Sequence, residues 1–360
     1  MQESLHATGI GEYRGATTAA KFSGPQPELA AMHLGCAIYD LGFRNQISVT
    51  GGDRTRWLNG MITNNVRDLA KGHGVYAFLL NPQGKIQGDM YVYNRGESIT
   101  IDTDRSQVEK MLAIFDHYII MDDVELKNLS ASITALGVSG AKSREVLAAA
   151  GLKVPELQPL QLLDIDCDCD CGCVKCTILR TDSATESYEI WLAADHVEAL
   201  WNTLLKAGAT PAGSDALETQ RIIAGVPQYG VDIRERDLPQ ETEQARALNF
   251  NKGCYVGQEI VERIRSRGNV HRKFAGFITE GHSVISPGAK ILDAEKEVGE
   301  VTSSASLKLG ENEKTIALGY IRREVGVPGR EITINGNRAT VVQVPLDVTG
   351  IFTERTLVHQ

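Results

Sequence analysis

The chain has 360 residues, 42% of them hydrophobic and 23% charged, which is ordinary globular usage and excludes wholesale disorder or a fibrous architecture. At roughly 100–200 residues per domain, this length suggests two or three domains. Lys and Arg total 37 against 46 Asp and Glu, a formal charge of -9 that argues against indiscriminate binding of nucleic acid or membrane by the whole surface. No stretch approaches the ~20 apolar residues of a membrane span, and residues 1–15 lack a basic start followed by an apolar run. A cytoplasmic address with no membrane partner is expected.

In chain order, residues 1–30 mix Gly, Ala, Thr and Pro without a period, which predicts a loosely ordered arm. Leu34 to Leu41 is a short apolar segment, Gln46 to Val49 a strand closed by Gly51-Gly52, and Asp53 the cap of a helix carrying Trp57, Leu58 and Met61. Val75 to Leu80 and Met90 to Tyr93 read as strands joined by the turn residues Asn81-Pro82-Gln83-Gly84-Lys85. After Ile99 to Ile101, the stretch Arg105 to Tyr118 sets Val108, Met111, Leu112 and Phe115 at helical spacing, and Val124, Leu126 and Leu129 return to alternation. Ile133 to Val138 is a strand, Ser143 to Ala150 a helix, Thr177 to Arg180 and Tyr188 to Leu192 strands, and His196 to Ala207 an amphipathic helix, with Ala216 to Ala224 another. From Phe274 on, short apolar segments broken by Gly, Asn and Pro predict a small barrel or sandwich. The fold class is therefore α+β, with an arm (1–30), an N-terminal α+β domain (31–129), a middle α+β domain (130–273) and a C-terminal β-barrel (274–360).

Five of the seven cysteines fall between Cys167 and Cys176, alternating at first with aspartates. Strict alternation would set Cys167, Cys169, Cys171 and Cys173 on one face of a strand, small thiols standing where Val or Ala face a core. A metal reading also exists, because Cys173 and Cys176 form a CxxC, but zinc sites pair two such clips and only one is present. No metal ligands are assigned.

The most informative stretch is Phe250-Asn251-Lys252-Gly253-Cys254-Tyr255-Val256-Gly257-Gln258-Glu259-Ile260-Val261-Glu262-Arg263. Val256, Ile260, Val261 and Ile264 recur at helical spacing, which puts Cys254 at or just before a helix's first turn, where the dipole and nearby Lys252 favour a thiolate. Gly253 and Gly257 would let a ligand or partner approach the backbone closely. Residues 252–273 hold six basic side chains (Lys252, Arg263, Arg265, Arg267, Arg272, Lys273) against Glu259 and Glu262, a stripe that is either solvated or meets a polyglutamate, a phosphate or RNA.

This segment, with its KGCYxGQE from Lys252 to Glu259 and following Arg263, resembles the signature of the YgfZ-type folate-binding proteins, a branch of the glycine-cleavage T-protein (aminomethyltransferase) superfamily. Ala216-Leu217-Glu218 with Arg221, Ala224 to Pro227 and Leu238 to Glu241 are similar to the segment preceding that motif. Ile47 to Leu58 with Thr63 to Val66 is similar to the superfamily's amino-terminal pattern, so the resemblance runs from about Leu34 to Val344. It implies a three-domain cloverleaf around a central tetrahydrofolate pocket, a C-terminal barrel, and a role supporting iron–sulfur client enzymes, including one that modifies tRNA, through a required cysteine, here Cys254. Asp89 falls where aminomethyltransferases carry a catalytic aspartate pair, though Gly88-Asp89-Met90 has a single acid. Glu189 falls where the superfamily grips the pterin's donor-rich edge, and Arg221 where it holds the folate tail or, locally, pairs with Glu218. Lys252, Tyr255 and Gln258 are placed among the folate-binding residues, and Arg263, Arg265 and Arg267 offer a weak RNA contact. The alternative reading is a folate-dependent aminomethyltransferase; a third is a module that recruits RNA or an apo-enzyme through the basic stripe.

Overall fold

The computed structural model describes residues 7–169, 172–268, 270–279, 284–309 and 312–347. Among them, residues 7–77 and 90–216 make one compact unit and 78–89 with 217–347 the other. The first unit begins with strands β1 (Gly9–Tyr13) and β2 (Ala16–Lys21), an antiparallel hairpin in which Tyr13 pairs with Ala16. Its two-residue turn holds Arg14 at φ 51° and Gly15 at φ 84°, the left-handed pair whose twist matches flanking strands. Arg14 lies over the rings of Tyr13 and Phe43, 5.4 and 5.3 Å from their centroids. The loosely ordered arm expected for residues 1–30 is thus replaced, from Gly9, by a hairpin and the start of α1 (Pro25–Leu34). Gly, Ala and Thr alternate with too little contrast in hydrophobicity to reveal a strand. Glu28 in α1 is fully buried. Its Oε1 accepts the backbone N–H groups of Phe22, Ser23 and Gly24 at 2.8, 2.9 and 3.0 Å, and its Oε2 accepts that of Gly213 at 2.8 Å.

Next come β3 (Ala37–Asp40), β4 (Arg44–Thr50), α2 (Arg54–Met61), β5 (Gly74–Leu80), β6 (Ile86–Asn94), β7 (Ile99–Asp104), α3 (Val108–Tyr118) and β8 (Glu125–Asn128). The helix expected from Arg105 opens with a 3-10 turn, Arg105–Gln107, before α3 proper. Strands β5-β6-β7-β4-β8 form one sheet. Then follow β9 (Ile133–Ser139), α4 (Ser143–Ala149), β10 (Leu162–Cys169), β11 (Gly172–Arg180), β12 (Ser187–Ala193), α5 (Val197–Lys206), β13 (Thr210–Pro211), α6 (Ser214–Ala224) and α7 (Gln258–Arg267). A six-stranded sheet runs β10-β11-β12-β9-β3-β13. Val197, Leu200, Trp201 and Leu204 recur on one face of α5 and pack on Ile38, Leu136, Ile178 and Ile190 of that sheet. Each such buried side chain contributes roughly 1.5–3 kcal/mol relative to exposure.

Cys167 and Cys176 lie in this same core, 0% and 5% exposed. The single strand expected through the cysteine cluster is instead a hairpin: β10 ends at Cys169, β11 begins at Gly172, and Asp168 stands opposite Cys173. Because the chain reverses, one alternation does not run through all the cysteines; Cys171 lies outside the described residues. Among the described residues no group of His, Cys, Asp and Glu suits a metal ion, and no helix is long and apolar enough to cross a membrane.

The second unit carries a closed barrel in the order β14-β17-β16-β15-β18-β19, from β14 (Arg272–Thr279), β15 (Lys290–Asp293), β16 (Lys296–Leu309), β17 (Asn312–Arg322), β18 (Glu331–Ile334) and β19 (Asn337–Val342). Phe277, Ile291, Val301, Ile321, Ile334 and Val341 fill it. The mixed α+β class and the C-terminal barrel agree with the sequence. Strand β16, the longest, is not foreseen, because Lys296 to Leu309 is rich in Ser, Lys and Glu and its register shifts between Val301 and Ser303, breaking the alternation.

Candidate functional site

Strands β4 and β7 place Ile47, Val49, Ile99 and Ile101 on one face, all 2% exposed or less. The alternate positions, Arg44 paired in register with Asp104 and Gln46 with Asp102, are polar although they too are largely buried. Asp102 is 1% exposed; it accepts hydrogen bonds from Arg44 through Nε at 3.1 Å and through Nη2, and from Gln46 Nε2 at 2.9 Å. Asp104 accepts from Arg44 Nη1 at 2.7 Å and lies 3.3 Å from Arg14 Nη1. Burial works against the Arg44 charge, yet Asp102 and Asp104 hold it firmly protonated. Burial likewise raises the carboxyl of Asp102 despite Arg44, whereas at Asp104 the charges of Arg14 and Arg44 overcome burial and lower it.

Glu189, on β12, faces this cluster. It is half-buried, and its Oε2 accepts the indole N–H of Trp191 at 3.2 Å. Trp191 is held by the edge of Tyr93, ring centroids 5.4 Å apart. Burial, and then the negative charge of Asp102, push the Glu189 carboxyl up to about 7, with Arg44 opposing them. Such a carboxylate suits a ligand edge that presents two N–H donors, because these replace the lost water at both oxygens. An open cleft of about 590 Å³ lies within the same unit, its wall including Gln46, Ser48, Thr100, Arg95, Lys175 and Trp191.

The remaining residues singled out from the sequence fall in the second unit. Asp89 is half-buried on β6, just past the β5–β6 turn. In that turn Asn81 accepts the N–H of Lys85 at its side chain and that of Gly84 at its carbonyl, both at 2.9 Å. The turn packs on the start of α7: a Cβ on Gly257, whose φ is +81°, would stand 2.5 Å from the Asn81 carbonyl oxygen, and one on Gly84 would stand 2.7 Å from Cβ of Ile260. The close approach expected of Gly257 is therefore made by the chain itself, while Gly253 has open space around it. Helix α7 starts at Gln258, so exposed Cys254 lies on the loop ahead of the helix and not at its first turn; the left-handed Gly257 delays the helix. Lys252 is buried, 7% exposed, with Nζ 5.0 Å from the centre of the Tyr255 ring, and burial pushes its amine down to about 7. The carbonyl of Tyr255 accepts the Gln258 N–H at 3.2 Å.

Arg221 is 6% exposed and all five of its donors are engaged inside the protein. Nε and Nη2 reach Glu218 at 2.9 and 2.5 Å, Nη1 reaches the Val226 carbonyl and Asp232, both at 2.6 Å, and Nη2 also reaches Ser303 at 2.8 Å. The local pairing with Glu218 is present, and with no donor left over Arg221 does not fit a folate tail. The basic stripe is shorter than it reads: Lys252 is buried, and Arg272 is committed to Asp237 at 2.6 Å and Glu241 at 3.0 Å. Arg263 and Arg265 are exposed, the latter 4.3 Å over the Phe250 ring; the Arg267 side chain lies outside what is described.

Residues 6–252 match the GCVT N-terminal domain, and residues 272–347 match the glycine cleavage T-protein C-terminal barrel domain. The chain belongs to the glycine cleavage T-protein family. Among relatives of this T-protein family member, the aminomethyltransferase of Alkaliphilus oremlandii is 27% identical over 339 residues, 92% of this chain and 90% of that protein. The aminomethyltransferase of Halothermothrix orenii is 28% identical over 334 residues, 90% of each. The glycine cleavage system aminomethyltransferase T of Bartonella henselae superposes with a TM-score of 0.85 at 21% identity over 95% of both chains, a shared fold. These similarities establish the T-protein superfamily; the YgfZ branch expected from the motif is a finer statement. Arg44, Asp102, Asp104 and Trp191 are not singled out from the sequence, although a polar or charged residue at every second position of two strands, Arg44-Gln46 and Asp102-Asp104, is a signal that the other sheet face is buried around polar groups.

Proposed function

We propose that this T-protein family member binds tetrahydrofolate at Glu189 and transfers a one-carbon unit to it from an aminomethyl-bearing carrier, as an aminomethyltransferase does. The observation that carries the reading is the half-buried Glu189 carboxylate, whose hydrogen bond within the protein comes from Trp191 alone among the contacts described, in a chain matched nearly end to end by aminomethyltransferases. The 2-amino and N3–H donors of the pterin suit that carboxylate. Asp89 is the acid assigned beside the reacting folate nitrogen, where a carboxylate orients or accepts a proton. Lys252, Tyr255 and Gln258 stand as folate contacts in this reading, and the address is the cytoplasm.

A second reading is favoured by a specific observation: Cys254 is exposed within the Lys252–Glu259 motif, and Asp89 has no acidic neighbour in sequence. In that reading the protein is a YgfZ-type, folate-dependent factor that supports iron–sulfur enzymes through Cys254, with Arg263, Arg265 and Arg267 near RNA. A gene deletion separates the two. Loss of glycine cleavage that Cys254→Ser restores supports the aminomethyltransferase. Loss of [4Fe-4S] enzyme activity that only the wild type restores supports the iron–sulfur factor and overturns the first reading.

A further inference from the structure

We propose that Arg44 and Asp102 are positioning residues for Glu189: in the ligand-free protein Glu189 and Asp102 hold one proton between them, and a ligand that offers a two-donor edge to Glu189 expels it to solvent. The ligand's identity rests on the folate reading; the shared proton does not.

Charges and hydrogen-bond donors are out of balance around Glu189. The groups acting on Glu189 are Tyr39 from β3, Arg44 from β4, Tyr93 from β6, Asp102 and Asp104 from β7 and Trp191 from β12, with Gln46 on Asp102, Tyr91 by Tyr93 and Arg14 of the N-terminal hairpin on Asp104. Three carboxylates meet two guanidiniums, an excess of one negative charge in a poorly solvated interior. Asp104 has both guanidiniums, and Asp102 has Arg44 and the Gln46 amide. Among the described contacts Glu189 accepts a hydrogen bond only from a neutral indole N–H, with Arg44 acting on it through charge alone, so the proton that balances the cluster, when bound, sits on Glu189 rather than on Asp102. A pterin edge donates to both carboxylate oxygens, and a carboxylic O–H would point a hydrogen at a donor. Binding is then an exchange, protonated Glu189 plus ligand giving ionised Glu189 with ligand plus a proton taken up by the buffer. Burial and Asp102 hold the Glu189 carboxyl at about 7, so about half a proton leaves per ligand at pH 7, and affinity falls as pH drops below that value.

The test has two arms on the full chain. In the ligand-free arm, potentiometric difference titration of wild type against Glu189→Gln between pH 5 and 9 should show one extra group titrating near pH 7. Asp102→Asn should move that midpoint down by ~1 unit, and Trp191→Phe, which removes the bond that favours the ionised form, should move it up. A purely structural role gives no such opposite shifts, and Trp191→Phe keeps the test open if Asp102→Asn does not fold. Absence of a group titrating near neutrality overturns the inference, whatever folate does. In the ligand arm, calorimetry with tetrahydrofolate in two buffers of unlike ionisation heat should show proton release and an affinity loss of about tenfold per pH unit below the midpoint. Binding that depends on Glu189 but releases no proton overturns the inference and leaves the folate reading standing. Binding indifferent to Glu189→Gln overturns the folate reading instead, while the shared proton is judged by the first arm.

Discussion

The surroundings of Glu189 and of Lys252 apply one force to opposite charges. Burial pushes an acid up to about 7 in the first case and an amine down to about 7 in the second. The means differ. Glu189 is one member of a network in which Arg44, Asp102 and Asp104 set each other's charge, while the cause of the Lys252 shift is burial alone, under the Tyr255 ring and next to a loop that exposes Cys254. A network ties charge to the fold, so changing one member is felt as stability. A buried amine whose shift comes from burial, two residues from an exposed thiol, leaves that thiol to be changed at little cost to the fold.

The largest expected effect breaks the network. Arg44→Met leaves Asp102 and Asp104 buried without their main partner and should cost ~3–5 kcal/mol, read from denaturant unfolding; a loss under ~1 kcal/mol would show that the charges relax independently. Next in size is a contrast in pH. The raised acid favours the folded state below its ordinary 4.5, and that benefit is lost as pH rises to about 7. The lowered amine behaves oppositely, its protonated form penalising the fold up to about 7 and the penalty lifting towards 10.5. Glu189→Gln should therefore gain on wild type, on the order of 2 kcal/mol, between pH 4.5 and 7. Lys252→Met should lose a comparable advantage between pH 7 and 10.5. Matching unfolding curves across either window would remove the corresponding half of the contrast. The smallest effect concerns the thiol: Cys254→Ser should change stability by less than ~0.5 kcal/mol. Native iodoacetamide labelling, mapped by mass spectrometry, should mark Cys254 and spare buried Cys36, Cys167 and Cys176.

What the sequence discloses follows from what each residue contacts. Apolar alternation in β4 and β7 and the apolar face of α5 are local patterns and can be read along the chain. The amino-terminal hairpin is hidden by small side chains, and β16 by serines and a bulge. Glu189 is legible through the resemblance, but its neighbours are not, because Asp102 and Arg44 come from strands 87 and 145 residues away in sequence (189 − 102 and 189 − 44). Arg221 is the converse case. Its pairing with Glu218 is visible three residues away, whereas Val226, Asp232 and Ser303, which use up its remaining donors, lie 5, 11 and 82 residues on. The helix-start position expected for Cys254 fails for a backbone reason, since Gly257 in the left-handed conformation starts α7 three residues beyond Tyr255.

Glu28 has a mechanical consequence. One oxygen of its carboxylate takes three successive amide hydrogens, from Phe22, Ser23 and Gly24, and the other takes one from Gly213. A load applied at the amino terminus first peels the β1–β2 hairpin one rung at a time, and then meets three bonds that share the force at a single anchor. In an optical trap this junction should read as a distinct rise in force after the hairpin and its Arg14 anchor on Asp104 have come away, with α1 and the segment at Gly213 held behind it.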